Sequence, residues 1–208
     1  MVTRRSGTPH LLSQTLPLDP IAEAALTCFA ANGFHGTTIR QIARTAGLSV
    51  PGVYHHYTSK HAILETLCTV AMQELLRASR HAVADASTPL LERFDSLITC
   101  LIHFHAHFAD IAFVTFSEIR SLEGDAKERH IQARREEQEL VTGLIEQGCA
   151  EGVFRTTEPR HAARAITTIC LGVSQWYRIG GPQTPDTLAE IYTQICRDAA
   201  GASSQERA

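Results

Sequence analysis

The sequence predicts an all-α protein of about nine helices, and three observations carry that prediction. Apolar residues recur at three- and four-residue spacing through almost the whole chain. No stretch alternates apolar and polar residues as a half-buried strand does. Cap residues, prolines and glycines punctuate the helical stretches at their ends. Composition agrees: 208 residues, 44% of them apolar and 20% charged, suffice for a packed core and exclude wholesale disorder. No apolar run approaches the roughly 18 residues of a membrane span. Met1 to Gly7 carries Arg4 and Arg5 with no apolar stretch behind them, so no secretory signal is expected. The six cysteines (28, 68, 100, 149, 170 and 196) are scattered without a C-x-x-C pair and read as free thiols of a reducing compartment. A soluble cytoplasmic protein is the expectation.

Residues 1–18, with Pro9, Pro17 and no sustained period, read as a flexible arm. Asp19-Pro20 is a cap followed by a first-turn proline, and Ile21, Ala25, Leu26 and Phe29 then share one helix face until Asn32-Gly33 stops it. Thr37 or Thr38 caps a short helix with Ile39, Ile42 and Ala43 inward, and Gly47 ends it. Ser49 caps another, Val50 to His56, with Pro51 tolerated in its first turn. Thr58 or Ser59 opens a longer fourth helix whose Ile63, Leu64, Leu67, Ala71 and Leu75 form a buried stripe. Thr88-Pro89 starts a helix to about His107, and an apolar one runs from Ile111 to Leu122. After the break at Glu123-Gly124-Asp125, a charged helix spans about Ala126 to Ala150. Glu158-Pro159 begins a helix to about Ile179, Gly180-Gly181-Pro182 halts it, and Pro185 begins the last, to about Ala199, before a frayed tail at 201–208. The expected division is an arm (1–18), a three-helix head (19–60), a larger helical remainder (61–200) and the tail.

Charge is uneven along this plan. Residues 1–60 hold five Lys or Arg against two acids, whereas the remainder is net acidic and brings the chain to −3. A basic head on an acidic body points to a polyanion partner for the head. The segment Thr38 to Lys60 sharpens this: two helices of about seven residues joined by a turn containing Gly47 match a DNA-binding helix-turn-helix, whose second helix enters the major groove. Ile39, Ile42, Ala43, Leu48 and Val53 are expected inward, with Val50, Pro51, Tyr54 and His55 projecting toward a groove.

The run Phe29-Ala30-x-x-Gly33-Phe34-x-Gly36-Thr37-Thr38-Ile39-x-x-Ile42-Ala43-x-x-Ala46-Gly47-Leu48-Ser49-x-x-x-Val53-Tyr54-x-His56-Tyr57-x-Ser59-Lys60 resembles the N-terminal signature of TetR-type one-component regulators, with its spacing intact over about forty residues (21–64). The resemblance implies a head that binds a palindromic operator in double-stranded DNA as a homodimer, and a C-terminal part that binds a small-molecule effector and dimerises. Carried onto this chain, it implies that Thr38, Arg40, Arg44, Ser49, Val50, Pro51, Tyr54, His55 and Lys60 meet DNA. Lys60, at the start of the fourth helix, would touch phosphate. Pro51 stands where the family often has a basic or small polar residue and removes a donor there. Tyr57 is expected as a core aromatic.

A second, weaker resemblance lies further on. Ser117-Glu118-Ile119-Arg120-Ser121-Leu122, Ile131-x-x-Arg134-Arg135, Gly148-x-x-x-Gly152-Val153-Phe154 and Trp176-Tyr177-x-x-Gly180-Gly181 are similar to regulators that sense acyl-CoA thioesters in sterol and fatty-acid catabolism. A thioester of that kind needs an apolar tunnel, for which Phe104, Phe108, Phe113 and Phe116 are candidates, and cations for phosphates, for which Arg120, Arg134 and Arg178 are. His103 and His107 can contact an organic ligand, and Trp176 and Tyr177 can face either the cavity or a dimer partner. No cofactor or metal is expected, although His103 and His107, four apart on a helix, have metal-ligand spacing. The charged run Glu128-Arg129, Arg134-Arg135-Glu136-Glu137 and Glu139 reads as a solvated face. The last two long helices are expected to pair with their copies in a four-helix bundle, Ile166, Ile169, Cys170, Val173, Ile191 and Ile195 lining cavity and interface.

The expected function is therefore a DNA-binding repressor released by an effector, and not an enzyme. Three alternatives stay open: a small helical metalloenzyme using His103 and His107, a DNA binder without an effector, and an activator instead of a repressor. Catalytic motifs such as G-x-S-x-G, a phosphate loop or a dinucleotide-binding glycine pattern are absent from the sequence.

Overall fold

The computed structural model describes residues 11–202, and among them the chain forms nine α-helices. These are α1 (Pro20–Gly36), α2 (Ile39–Thr45), α3 (Val50–His56), α4 (Lys60–Val83), α5 (Leu90–His107), α6 (Ala109–Ser117), α7 (Gly124–Ala150), α8 (Pro159–Trp176) and α9 (Pro185–Ala200), with a 3-10 turn at Ile119–Ser121. The expected caps are in place. One oxygen of Asp19 accepts from the amides of Ile21 and Ala22 at 2.8 and 2.9 Å, Thr38 and Gln41 form a reciprocal capping box, and Ser59 accepts from Ala62 N. Thr37, the other candidate cap, is buried instead, its hydroxyl donating to the carbonyls of Cys28 and Gly33.

α5 is the axis of the body. Phe94, Leu97, Ile98, Leu101 and Ile102 are fully buried along it, and α4, α7, α8 and α9 pack around it. α7 closes on this core where Gly148 leaves room for Phe154: a Cβ at Gly148 would lie 2.3 Å from the Phe154 ring. That ring in turn meets Phe94 edge-on at 5.0 Å. α1 packs on α2 and α4, and also on α6, so the basic head leans directly on the body.

Four expectations are corrected. The segment 11–18 is not a free arm: Ser13 N donates to Glu74 at 2.6 Å, Arg77 donates to Leu11 O at 2.6 Å, and Leu12, Leu16 and Leu18 pack on the core. Its leucines supply apolar surface that Pro17 conceals in a periodicity reading. Residues 1–10, and 203–208 of the expected tail, lie outside the described residues. α1 does not stop at Asn32-Gly33 but breaks there, at Gly33 φ 69°, ψ 167°, and resumes to Gly36. The helix expected over Ile111–Leu122 ends at Ser117, because Glu118 turns back to accept from Phe34 N at 3.1 Å and from the Ser121 hydroxyl at 3.2 Å. α8 ends at Trp176 instead of Ile179. There the backbone of Tyr177 is extended and its hydroxyl donates to Gln183 O at 3.3 Å.

Candidate functional site

The head presents one outward face. Val53, Ile42 and Ala43 are buried and hold α3 against α2, while Arg40, Arg44, Ser49, Pro51, Tyr54 and His55 are exposed. Tyr54 is 52% accessible and so is not a core aromatic. Neither Arg40 nor Arg44 meets a carboxylate or carbonyl among the described residues. Thr38 is exposed, and its hydroxyl is engaged by Gln41. Val50 is half-buried against the core, so part of its surface serves packing. Leu48, expected inward, is 42% exposed in the turn: its amide reaches back to Ala43 O at 2.8 Å, and the side chain is left outside. Tyr57 is half-buried, and its hydroxyl donates to Asp19. Burial raises that tyrosine's pKa, as does the carboxylate, to about 12. Burial also pushes Asp19 up, but the bonds from Tyr57, Ala22 and Ile21 outweigh it and leave the carboxyl below its usual value.

Lys60 is more tightly held than a free phosphate ligand would be. Its ammonium donates to Phe34 O and Thr37 O at 2.5 and 2.7 Å and lies 4.2 Å from the centre of the Phe34 ring. It closes the open carbonyls at the end of α1, and desolvation lowers its pKa although Glu118 pulls the other way. One of its three N–H groups remains for an outside acceptor.

The residues expected to bind a ligand divide between the two sides of α6. A cleft of about 720 Å³ between α1, α6 and α8 takes His107, Phe108, Phe113, Tyr177 and Arg178, together with Leu16, Leu18 and Leu26. An interior cavity of about 90 Å³, walled by α4, α5, α6, α7 and α8, takes Phe104, Phe116 and Arg134. His103, Arg120 and Trp176 line neither. His103 points at Asp186 on α9 at 3.1 Å, Arg120 stands exposed on the 3-10 turn, and Trp176, 48% exposed, stacks on Tyr192 outside the core. No three His, Cys, Asp or Glu side chains among the described residues gather as a metal would need.

The interior cavity also holds residues that sequence reasoning missed. His105, His130 and Glu137 are buried to 6, 5 and 4% exposure on its wall. Ser79 donates to one oxygen of Glu137 at 3.0 Å. The other oxygen, Nδ1 of His105 and both ring nitrogens of His130 have no protein partner. Burial raises the Glu137 carboxyl to about 7, while burial and the neighbouring Arg134 lower both imidazoles to about 4. A signal for these residues existed. Val141, Leu144, Ile145 and Gly148 form the inward stripe of α7, and the same period run backward reaches Glu137, Arg134 and His130. The charged run is thus not wholly solvated.

On α8 and α9 the expected interface set also splits. Ile166, Cys170 and Val173 are spent on the monomer's own core, whereas Ile191 and Ile195 are exposed, at 41 and 43%, and Ile169 is half-exposed.

Residues 21–67 match the family described as bacterial regulatory proteins, tetR family, and residues 87–200 match the tetracyclin repressor-like C-terminal domain. The chain is 29% identical over 182 residues to the HTH-type transcriptional repressor KstR2 of Rhodococcus jostii (strain RHA1), covering 86% of this chain and 88% of that protein. It is 22% identical over 158 residues to the fatty acid metabolism regulator protein of Bacillus subtilis (strain 168), covering 75 and 81%. Among solved structures, a tetR-family regulatory protein from Rhodococcus RHA1 superposes with a TM-score of 0.83 at 29% identity, covering 89% of this chain and 97% of that one. The chain belongs to the TetR family of transcriptional regulators.

Proposed function

We propose that this TetR-family chain is a repressor that binds a palindromic operator as a homodimer and leaves it when an acyl-CoA thioester enters the body. In this reading residues 19–60 form the DNA-binding unit and 61–200 the effector and dimer unit. The observation that carries it is the position of α6. One of its sides walls the interior cavity, the other packs on α1, and its end is tied to α1 through Glu118 and Phe34 N and through Ser121 and His35 at 3.2 Å. A ligand that displaces α6 therefore moves the base of the head. Because coupling is reciprocal, an effector that weakens DNA binding is itself weakened by DNA to the same degree.

The DNA contacts in this reading are Arg40, Arg44, Ser49, Pro51, Tyr54 and His55, with Thr38 and Lys60 at phosphates and Val50 at the margin. Two copies joined through Ile169, Ile191, Ile195 and Trp176 would place their α3 helices one duplex turn, roughly 34–36 Å, apart. Burying Trp176 and two isoleucines in a bundle removes apolar surface that is otherwise open to water. The acyl chain would occupy the cavity beside Phe104 and Phe116. The names of the similar proteins, a KstR2 repressor and a fatty acid metabolism regulator, are consistent with such a ligand.

Fluorescence anisotropy with operator DNA selected from random duplexes, repeated with hexanoyl-CoA and longer-chain thioesters, tests the reading. Release of DNA by a thioester supports it. A monomer that ignores duplex DNA at low salt overturns it, and a dimer that binds DNA but no thioester removes the effector class.

A further inference from the structure

We propose that Arg134, His105 and His130 form a recessed receptor for a carboxylate carried on an otherwise apolar effector; this rests on the reading of the interior cavity as the effector site. Three observations meet there. Arg134 lines the cavity half-buried and forms no ion pair with a carboxylate among the described residues; the Phe116 ring lies 5.4 Å from its guanidinium carbon. Several other arginines of the body do pair with an acid: Arg77 with Glu74, Arg80 with Glu136 and Arg197 with Asp95. Half-burying an arginine without a counter-charge costs part of its hydration, and desolvation lowers the Arg134 pKa accordingly.

The second observation is the set of donors beside it. His130 stands one turn before Arg134 on α7, and His105 faces them from α5. Both are more than nine-tenths buried, and three ring nitrogens between them lack protein partners. His130 offers an N–H in either tautomer. Glu137 lies on the same wall with one oxygen unpartnered. Burial keeps a large share of it protonated near neutral pH, when it donates as well and does not repel an anion.

The third is the remaining lining. Ala71, Met72, Leu75 and Leu101 give an apolar seat for a hydrocarbon body. The volume of about 90 Å³ matches a compact group, about three waters at the ~30 Å³ each takes in the liquid. A planar guanidinium is suited to a bidentate carboxylate, and its fixed charge beside both imidazoles disfavours a metal cation in the same place. Such a carboxylate can come from a free organic acid or from the far end of a dicarboxylic acyl-CoA.

Calorimetry on the full-length protein distinguishes these sources with two matched pairs, hexanoate against hexanamide and adipoyl-CoA against hexanoyl-CoA. The carboxylate member of one pair is expected to bind at least about tenfold tighter, about 1.4 kcal/mol, and the preference should vanish in Arg134→Met. The pair that shows it identifies the source. Equal binding of the neutral member, a preference that survives in Arg134→Met, or no binding by any probe overturns the proposal. Release of DNA by hexanoyl-CoA without carboxylate preference would leave the effector reading standing and remove only this inference. Melting of the free protein adds a readout that needs no ligand. Arg134→Met is expected to melt at or above the parent temperature, since it removes an uncompensated charge. A fall of several degrees in both Arg134→Met and Arg134→Gln would make the arginine structural and end the argument.

Discussion

Lys60 in the head and Arg134 in the body are both half-buried cations on long helices, and they are satisfied in opposite ways. Lys60 is consumed locally: two carbonyls at the end of α1 and an aromatic ring surround it, so it acts as the peg that fixes α4 against α1. Arg134 has one ring beside it and two imidazoles with three unpartnered ring nitrogens between them. The difference teaches that burial of a charge is informative only with its partners counted. In the head the charge completes the fold, and in the body the fold leaves the charge available.

The largest expected effect that tests this contrast comes from Glu137. Its pKa is raised from 4.5 to about 7, so its contribution to stability is fully present below about pH 4.5 and is lost as pH rises through 7. At 1.36 kcal/mol per tenfold in the protonation equilibrium, the loss by pH 8 is on the order of 3 kcal/mol. Glu137→Gln should therefore be more stable than the parent at pH 8 and converge with it near pH 5, measured by urea unfolding at both. Below about pH 6.5 both proteins should weaken together, because His105 and His130, held neutral down to about 4, favour the native state less as pH falls.

The next effect belongs to the peg. Lys60→Met removes two charge-assisted bonds and should cost about 2 kcal/mol, read as a drop of roughly 4–8 °C in melting temperature. Lys60→Ala should in addition lower the salt slope of DNA binding by about one if the third N–H meets phosphate. An unchanged melting temperature in Lys60→Met would erase the contrast with Arg134. Smaller still, Asp19→Ala loses the cap of α1 and the acceptor for Tyr57, for about 1 kcal/mol by chemical denaturation. At the bottom of the scale, Tyr54→Ala should change stability by less than about 0.5 kcal/mol while weakening operator binding clearly in the anisotropy assay.

What the sequence revealed follows the same line. Caps, stops and the helix-turn-helix are legible because each depends on residues close in sequence, two or three apart at the caps: Asp19 on Ile21 and Ala22, Thr38 on Gln41, Ser49 on Gly52. Contacts between distant parts left no such trace. The docking of Ser13 on Glu74, sixty-one residues away, and the bend of Glu118 onto Phe34, eighty-four away, depend on tertiary geometry. The cavity falls between these cases. Phe104, Phe116 and Arg134 are legible as an aromatic and a cationic signal, whereas His105 hides between His103 and His107, and Glu137 hides in a charged run. Periodicity weighted by hydrophobicity sees Val141 and Leu144 and is blind to polar residues on the same stripe.

The break in α1 bears on how this protein could be re-engineered. Gly33, at φ 69°, ψ 167°, occupies a backbone region essentially reserved for glycine, and the amide just after it is held by a carboxylate from residue 118. A chimera that transplants the first sixty residues onto another sensor would carry the crooked helix but leave behind the acid that secures it. Such a graft should inherit an N–H with no acceptor and a hinge set at the wrong angle. Exchanging the proposed DNA contacts in this scaffold thus calls for replacing exposed residues of α2 and α3, with α1 and residue 118 kept from the same parent.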